Sequence, residues 1–264
     1  SAAKLDNIDL RNWDLSNVTN SGWCFQYINA KYLYLPDNLK TISAGFFNHV
    51  QSYQGSSFTI PAGVEKIGYA HTIYDFATND FVEFIVAEGN KNYVAIDGIL
   101  YSADGKEMLA IPRNKTFENN TFEVPEGVEF FGELSFSRNY NIHTLVLPNS
   151  FEIVQNIPLY DPRYIVFEDI GNLNAGNSLS IAIYLYTGVT AYEVKDDNPR
   201  YESINGIIYS EDMTTLIAVP TRYNQYIDIP EGVTTLPVEA MWGYDSTDGY
   251  MSNSTGINIP STMT

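Results

Sequence analysis

The chain is 264 residues long and carries 32 acidic against 14 basic side chains, a formal charge of −18. That balance excludes a nucleic-acid backbone or an anionic membrane surface as partner, since both are recognised through clustered cations. At 44% hydrophobic and 14% aromatic the chain can bury an ordered core, no run reaches the roughly 18 apolar residues of a membrane span, and one cysteine rules out a disulfide framework or a Cys-based zinc site.

In chain order, the first readable unit is IDLRNWDLSNVTNSGWCF (8–25), within a divergent opening over 1–30. A phrase then recurs: an apolar-x-apolar triplet, most often Pro, a turn, and a Val or Leu followed by a further apolar residue. It reads LYLPDNLKTI (33–42), FTIPAGVEKI (58–67), FEVPEGVEFF (122–131), LVLPNSFEIV (145–154) and IDIPEGVTTL (227–236), with weaker copies at 84–90, 109–114, 165–171 and 192–198. Residues 155–192 read as degenerate repeats. INIPSTMT (257–264) begins a repeat that stops short, so a strand edge is expected to be exposed there.

The marker after each triplet stands at Pro36, Pro61, Ala87, Pro112, Pro125, Pro148, Glu168, Lys195, Pro220, Pro230 and Pro260. Their spacings are 25, 26, 25, 13, 23, 20, 27, 25, 10 and 30; the twenties are a solenoid period, and 13 and 10 mark insertions. Each triplet alternates inward, outward and inward, the period of a strand. Proline ends the strand because it donates no N–H. Gly63, Gly127 and Gly232 follow where the turn is expected to need positive φ, and Val64, Val128 and Val233 return to the core. One such unit cannot cover its own apolar face; units stacked about 4.8 Å apart can.

A longer repeat overlies the short one. Residues 84–112 pair with 192–220 at an offset of 108 with eleven identities: Val86/Val194, Asn90/Asn198, Tyr93/Tyr201, Ile96/Ile204, Gly98/Gly206, Ile99/Ile207, Tyr101/Tyr209, Ser102/Ser210, Asp104/Asp212, Ala110/Ala218 and Pro112/Pro220. Asp97-Gly98 and Asn205-Gly206 are two-residue hairpin signals, so 93–111 and 201–219 are predicted to be three-stranded meanders. Asp104-Gly105 signals a second tight turn. Its counterpart Asp212-Met213 is expected to turn differently, because methionine resists positive φ.

The IPEGVxxL phrase and the NxxYxxxDGxLYSxDGKxLxxxP block together resemble the BspA-like bacterial leucine-rich repeats over about 30–264, whose usual Ala-Phe pair becomes Phe46-Phe47, Ser135-Phe136 and Met241-Trp242 here. The opening is similar to a related repeat of bacterial surface lipoproteins, of the form NWDxSNVTxM. The resemblance implies a secreted or surface-anchored bacterial adhesin or antigen without assigned catalytic residues. The expected fold is a single leucine-rich-repeat solenoid over 1–264, of the α/β class but dominated by short strands with few or no long helices. It would wind as a right-handed superhelix with β-hairpin insertions.

Little of the sequence signals chemistry. His49, His71 and His143 have no metal-ligand spacing, no nucleophile elbow or phosphate loop is present, and Cys24, between Trp23 and Phe25, reads as a core thiol. The acids crowd at turns, and Asp245–Gly249 is only a faint calcium-loop pattern. No catalytic residue, metal or cofactor is expected. The map with most functional content is the outward middle of each triplet: Tyr34, Thr59, Ile85, Ala110, Glu123, Val146, Val166, Glu193, Ala218, Asp228 and Asn258. The chain is therefore expected to be a non-catalytic extracellular or cell-surface protein that binds a protein or extracellular-matrix ligand through this face. A glycan-binding module and a polysaccharide-active β-solenoid enzyme are the alternatives.

Overall fold

The computed structural model describes residues 5–22, 24–25, 30–43, 46, 57–68, 81–132, 135–136, 139–151, 188–220, 222–237, 240 and 254–263. Most of the degenerate stretch 155–192, the marker Glu168 and the Met241-Trp242 pair lie outside them.

The triplets form short parallel strands in one column. β1 (Leu5–Asp9) pairs with β2 (Ala30–Tyr34), and β4 (Ser57–Ile60) with β6 (Glu83–Val86). β10 (Thr121–Glu123) pairs with β12 (Thr144–Leu147) and β12 with β13 (Ala191–Val194), while β17 (Tyr226–Asp228) pairs with β18 (Gly256–Asn258). The residues after each turn make a second parallel column. There β3 (Thr41–Ile42) joins β5 (Lys66–Ile67), β9 (Glu107–Ala110) joins β11 (Phe130–Phe131), and Thr215 bridges Thr235. Helix among the described residues is 3₁₀ alone, at Glu118–Asn120 and at Ala240.

The marker is where the chain turns between columns. At each described marker its carbonyl accepts the N–H three residues on, from Leu39 to Pro36 (3.2 Å) through Val128 to Pro125 (3.3 Å) to Met263 to Pro260 (3.1 Å). Val64, Val128 and Val233 are buried, as expected. Gly127 (φ 95°) and Gly232 (φ 105°) have the left-handed backbone that favours glycine. Gly63 does not, which corrects the expectation. Its need is proximity, because a Cβ there would stand 2.1 Å from the Asp37 carbonyl oxygen of the preceding turn.

Buried and half-buried asparagines stitch one turn to the next. Asn90 donates its amide to the carbonyls of Pro61 (2.8 Å) and Val64 (3.1 Å), and Asn139 to those of Pro112 (2.9 Å) and Lys115 (3.1 Å). Asn198 reaches Pro148 at 3.4 Å. Each carboxamide oxygen accepts local backbone N–H groups, as Asn139 does from Asn141. Asn139→Leu removes a bond from each of the Pro112 and Lys115 carbonyls, which keep one other donor apiece, and the acceptor of the Asn141 N–H, so it should cost about 1–3 kcal/mol in urea unfolding. Asn139→Asp should cost more at neutral pH, because a carboxylate would face two carbonyl oxygens, and should recover in part on acidification.

Both predicted meanders are present. The first is β7 (Tyr93–Ile96), β8 (Ile99–Ser102) and β9; the second is β14 (Tyr201–Ile204), β15 (Ile207–Ser210) and β16 (Leu216–Ala218). Their first turns place Asp97 and Gly98, or Asn205 and Gly206, at positive φ. The second turns are alike as well, against expectation: Met213 adopts φ 57° where Gly105 has 73°. The same hydrogen bonds hold both. Ser102 and Ser210 donate to Asp104 and Asp212, whose carboxylates accept the N–H groups of Lys106 and Thr214. In the Met213 turn these two bonds, with Thr214 Oγ1 donating to Asp212 and the Thr215 N–H to Ser210 Oγ, outweigh the roughly 1–2 kcal/mol that the left-handed backbone costs a side chain.

The meanders also divide the core. β8 is buried on both sides: Ile99 and Tyr101, with Met108, join the middle cluster around Phe122, Phe136 and Leu145, whereas Leu100 and Ala110 join the N-terminal cluster around Phe58 and Phe84. One repeat later, Ile207 and Tyr209 pack on the C-terminal cluster, and Ile208 and Ala218 on the middle one. Each meander is a septum between two stacks. Its hairpin tip closes a strand edge of the first column, with Phe84 donating to Gly98 (2.8 Å) and Tyr192 to Gly206 (2.9 Å).

Candidate ligand-binding face

The first column has an outward surface built from alternate strand residues. Flanking positions such as Leu33, Phe58, Ile60, Phe122, Val124, Tyr192, Ile227 and Ile229 are buried, which turns the residues between them to solvent. Tyr34, Thr59, Ile85, Glu123, Glu193, Asp228 and Asn258 are exposed, and Val146 is half-buried between Glu123 and Glu193, its register partners. Val166 lies outside the described residues.

Two members of the expected row do not belong to it. Ala110 is 1% exposed and Ala218 7%, because they sit on the septa, where a strand has core on both faces. An apolar strand with one wet face and one with none look the same over three residues.

A parallel row one step along the strands contains Asn7, Tyr32, Ser57, Glu83, Thr121, Thr144, Ala191 and Tyr226. Asn7 and Tyr32 are register partners, as are Asp9 and Tyr34. Asp9 grips Arg11 through two side-chain hydrogen bonds, at 2.9 and 2.6 Å, and Arg11 lies 4.7 Å from the Tyr34 ring centre. Those bonds lower the Asp9 carboxyl to about 2, so it stays ionised through the physiological range. At the other end Asn258 donates to Asp228 at 2.8 Å.

The other candidates offer less. Among the described residues, no three His, Cys, Asp or Glu side chains are grouped to hold a metal ion, and no helix is long and apolar enough to cross a membrane. His143 is exposed and bonds through its backbone; His49, His71 and the 245–249 stretch lie outside the described residues. Cys24 corrects the core-thiol reading. It is exposed because its neighbour Phe25 takes the inward place, with its ring 5.0 Å from that of Phe46. Partial desolvation still pushes the thiol up to about 11, leaving little thiolate at neutral pH. Of the lysines, Lys40, Lys106 and Lys195 are held by Glu65, Glu129 and Glu126.

Parallel strand columns, marker turns and one open strand face define a leucine-rich-repeat solenoid. The family model of the BspA type leucine rich repeat region matches in six copies, with residues 1–78 aligned. Over residues 1–78 the repeats match the BspA type. No curated protein matches the chain.

Among solved structures, a leucine-rich repeat protein from Eubacterium ventriosum shares the fold at TM-score 0.50 and 12% identity, over 92% of this chain and 70% of that one. Two others align less well. The pneumococcal vaccine antigen PcpA gives TM-score 0.47 at 15% identity, over 81% of this chain. A leucine rich cell surface protein from Faecalibacterium prausnitzii gives 0.45 at 18%, over 89% of this chain. The chain spans 43% and 49% of the lengths of these two.

Proposed function

We propose that the chain is a non-catalytic recognition module of a bacterial surface or secreted protein, binding a protein or extracellular-matrix ligand through its outward strand face. The observation that carries this reading is the register. Tyr34, Thr59, Ile85, Glu123, Glu193 and Asp228, with half-buried Val146, each occupy the outward middle of a stacked strand, so one ligand can touch several turns at once. Such a row gives a broad, rigid surface with exposed side chains on a backbone fixed by its neighbours. Surface acids there favour a partner with basic character and raise its association rate at low salt.

The test is binding of the whole chain to an immobilised panel of matrix and surface proteins, compared with Glu123→Arg/Glu193→Arg. The paired reversal should weaken capture at least about tenfold and remove its salt dependence. Capture unchanged by reversal at these two central positions would overturn the assignment of this face.

A further inference from the structure

We infer that the β1–β2 end of the outward face is a binding site for a neutral saccharide, with Tyr32 and Tyr34 as the stacking platform and Asn7, Asp9 and Arg11 as its hydrogen-bonding border. The inference rests on the outward face being the ligand side, and adds a ligand class at one end of it.

Tyr32 and Tyr34 stand two positions apart on one strand, so both rings leave the same side. Their planes lie within 15° of each other with centres 6.4 Å apart, and the residues are 38% and 40% exposed. Two rings held parallel on a strand lose little freedom on binding, and apart from the Tyr34 face that Arg11 covers they offer exposed ring surface to the C–H faces of sugar rings.

The border supplies the polar half of the recognition. Of the five guanidinium N–H groups of Arg11, two are used by Asp9, which leaves three donors in a fixed plane. Asp9 Oδ1 accepts both the backbone and Nε N–H groups of Arg11, so Oδ2 keeps a lone pair for a hydroxyl donor, and Asn7 adds an amide beside Tyr32. Fixed donors and acceptors beside aromatic rings match the hydroxyls and C–H faces of a carbohydrate.

The charge pattern selects the kind of sugar. The Asp9–Arg11 pair is locally neutral, and the chain around it carries −18, which repels sialylated or sulfated chains. The same pattern argues against a peptide anchor at this spot. A protein hot spot needs an apolar centre sealed from water, whereas the register partners of the two tyrosines are an amide and a carboxylate.

The experiment is isothermal titration of the whole chain with cellohexaose, maltohexaose, mannohexaose and one sialylated oligosaccharide. At least one neutral hexamer should bind with Kd below about 1 mM, and the sialylated probe more weakly. Tyr32→Ala/Tyr34→Ala should weaken that binding at least about tenfold, whereas Tyr32→Phe/Tyr34→Phe, which keeps both rings and guards against misfolding, should stay within about threefold. Arg11→Gln should weaken it, and Tyr226→Ala, at the far end of the face, should not. Glu123→Arg/Glu193→Arg should leave saccharide affinity within about twofold, so the two readings fail separately. No binding to any neutral hexamer, tighter binding of the sialylated probe, or affinity unchanged in the paired alanine variant overturns the inference.

Discussion

Phe136→Ala should lower the free energy of unfolding by about 3–5 kcal/mol, measured as a fall in the urea midpoint. Phe136 is fully buried in the middle cluster. Its ring meets Phe131 edge-on at 4.9 Å and Phe122 at 6.4 Å, and Phe131 is in turn 4.3 Å from Phe151. Removing the ring leaves a cavity that strands fixed on both sides by septa cannot close. Native domains hold only about 5–15 kcal/mol, so one such cavity takes a large share. Ile259→Ala, at a position 56% exposed on the last described turn, should change stability by no more than about 0.5 kcal/mol. A Phe136→Ala effect as small as that of Ile259→Ala would mean the middle cluster does not hold the stack together.

The septa give the solenoid a second level of organisation. In a simple stack each turn touches only its neighbours, and stability is a sum of equivalent interfaces. Here the 108-residue repeat inserts a sheet that is apolar on both sides, and three core clusters meet across two such sheets. The hairpin tips cover first-column strand edges that would otherwise stand open within the molecule. The two septa thereby divide the outward face into three stretches, β1 to β6, β10–β12–β13 and β17–β18, the first made of the strand pairs β1–β2 and β4–β6.

Much of this architecture was legible because the repeat uses residues with narrow physical roles. Proline at the marker, a valine three residues on, and Asp-Gly or Asn-Gly between apolar runs each allow few conformations, and the turns and meanders follow from them. Two-residue patterns failed where the deciding contact is remote. Gly63 stands in the same Pro-x-Gly-Val frame as Gly127, but its requirement comes from Asp37 on the previous turn. Met213 keeps the turn of Gly105 because Ser210, Asp212 and Thr214 supply bonds that outweigh its backbone preference. The stitching asparagines showed only as the Asn90/Asn198 identity, since nothing local distinguishes a buried amide from a loop one. Of the candidate face, alternation located the exposed positions, but the Ala110 and Ala218 assignments failed on the two-sided burial of the septa. The Asp9–Arg11–Tyr34 grouping joins two strands and was not readable from either.

Alkali should unfold the protein well before strong base attacks the chain. Burial raises the hydroxyls of Tyr101 and Tyr192 above the ordinary tyrosine range and pushes Tyr209 up to about 12, with smaller additions from Asp97 beside Tyr101 and from Tyr223 and Asp228 beside Tyr209. In the unfolded chain tyrosine titrates near 10. Between that value and the raised native ones the unfolded state binds fewer protons, so stability is fully present below about pH 10 and falls as pH rises. Each deeply buried hydroxyl contributes about 1.4 kcal/mol per pH unit, and Tyr101 and Tyr192 together about 3 kcal/mol per unit. Urea midpoints should therefore be flat from about pH 8 to 9.5 and drop steeply above pH 10, with phenolate absorbance appearing together with loss of structure. Tyr192→Phe keeps the ring and removes the proton, so it should reduce the slope by about 1.4 kcal/mol per pH unit. The general repulsion of a chain already at −18 acts equally on both proteins, and their difference isolates the buried hydroxyl. Equal slopes for Tyr192→Phe and the parent chain would show that Tyr192 ionises freely in the folded state, and so is not packed inside the middle cluster.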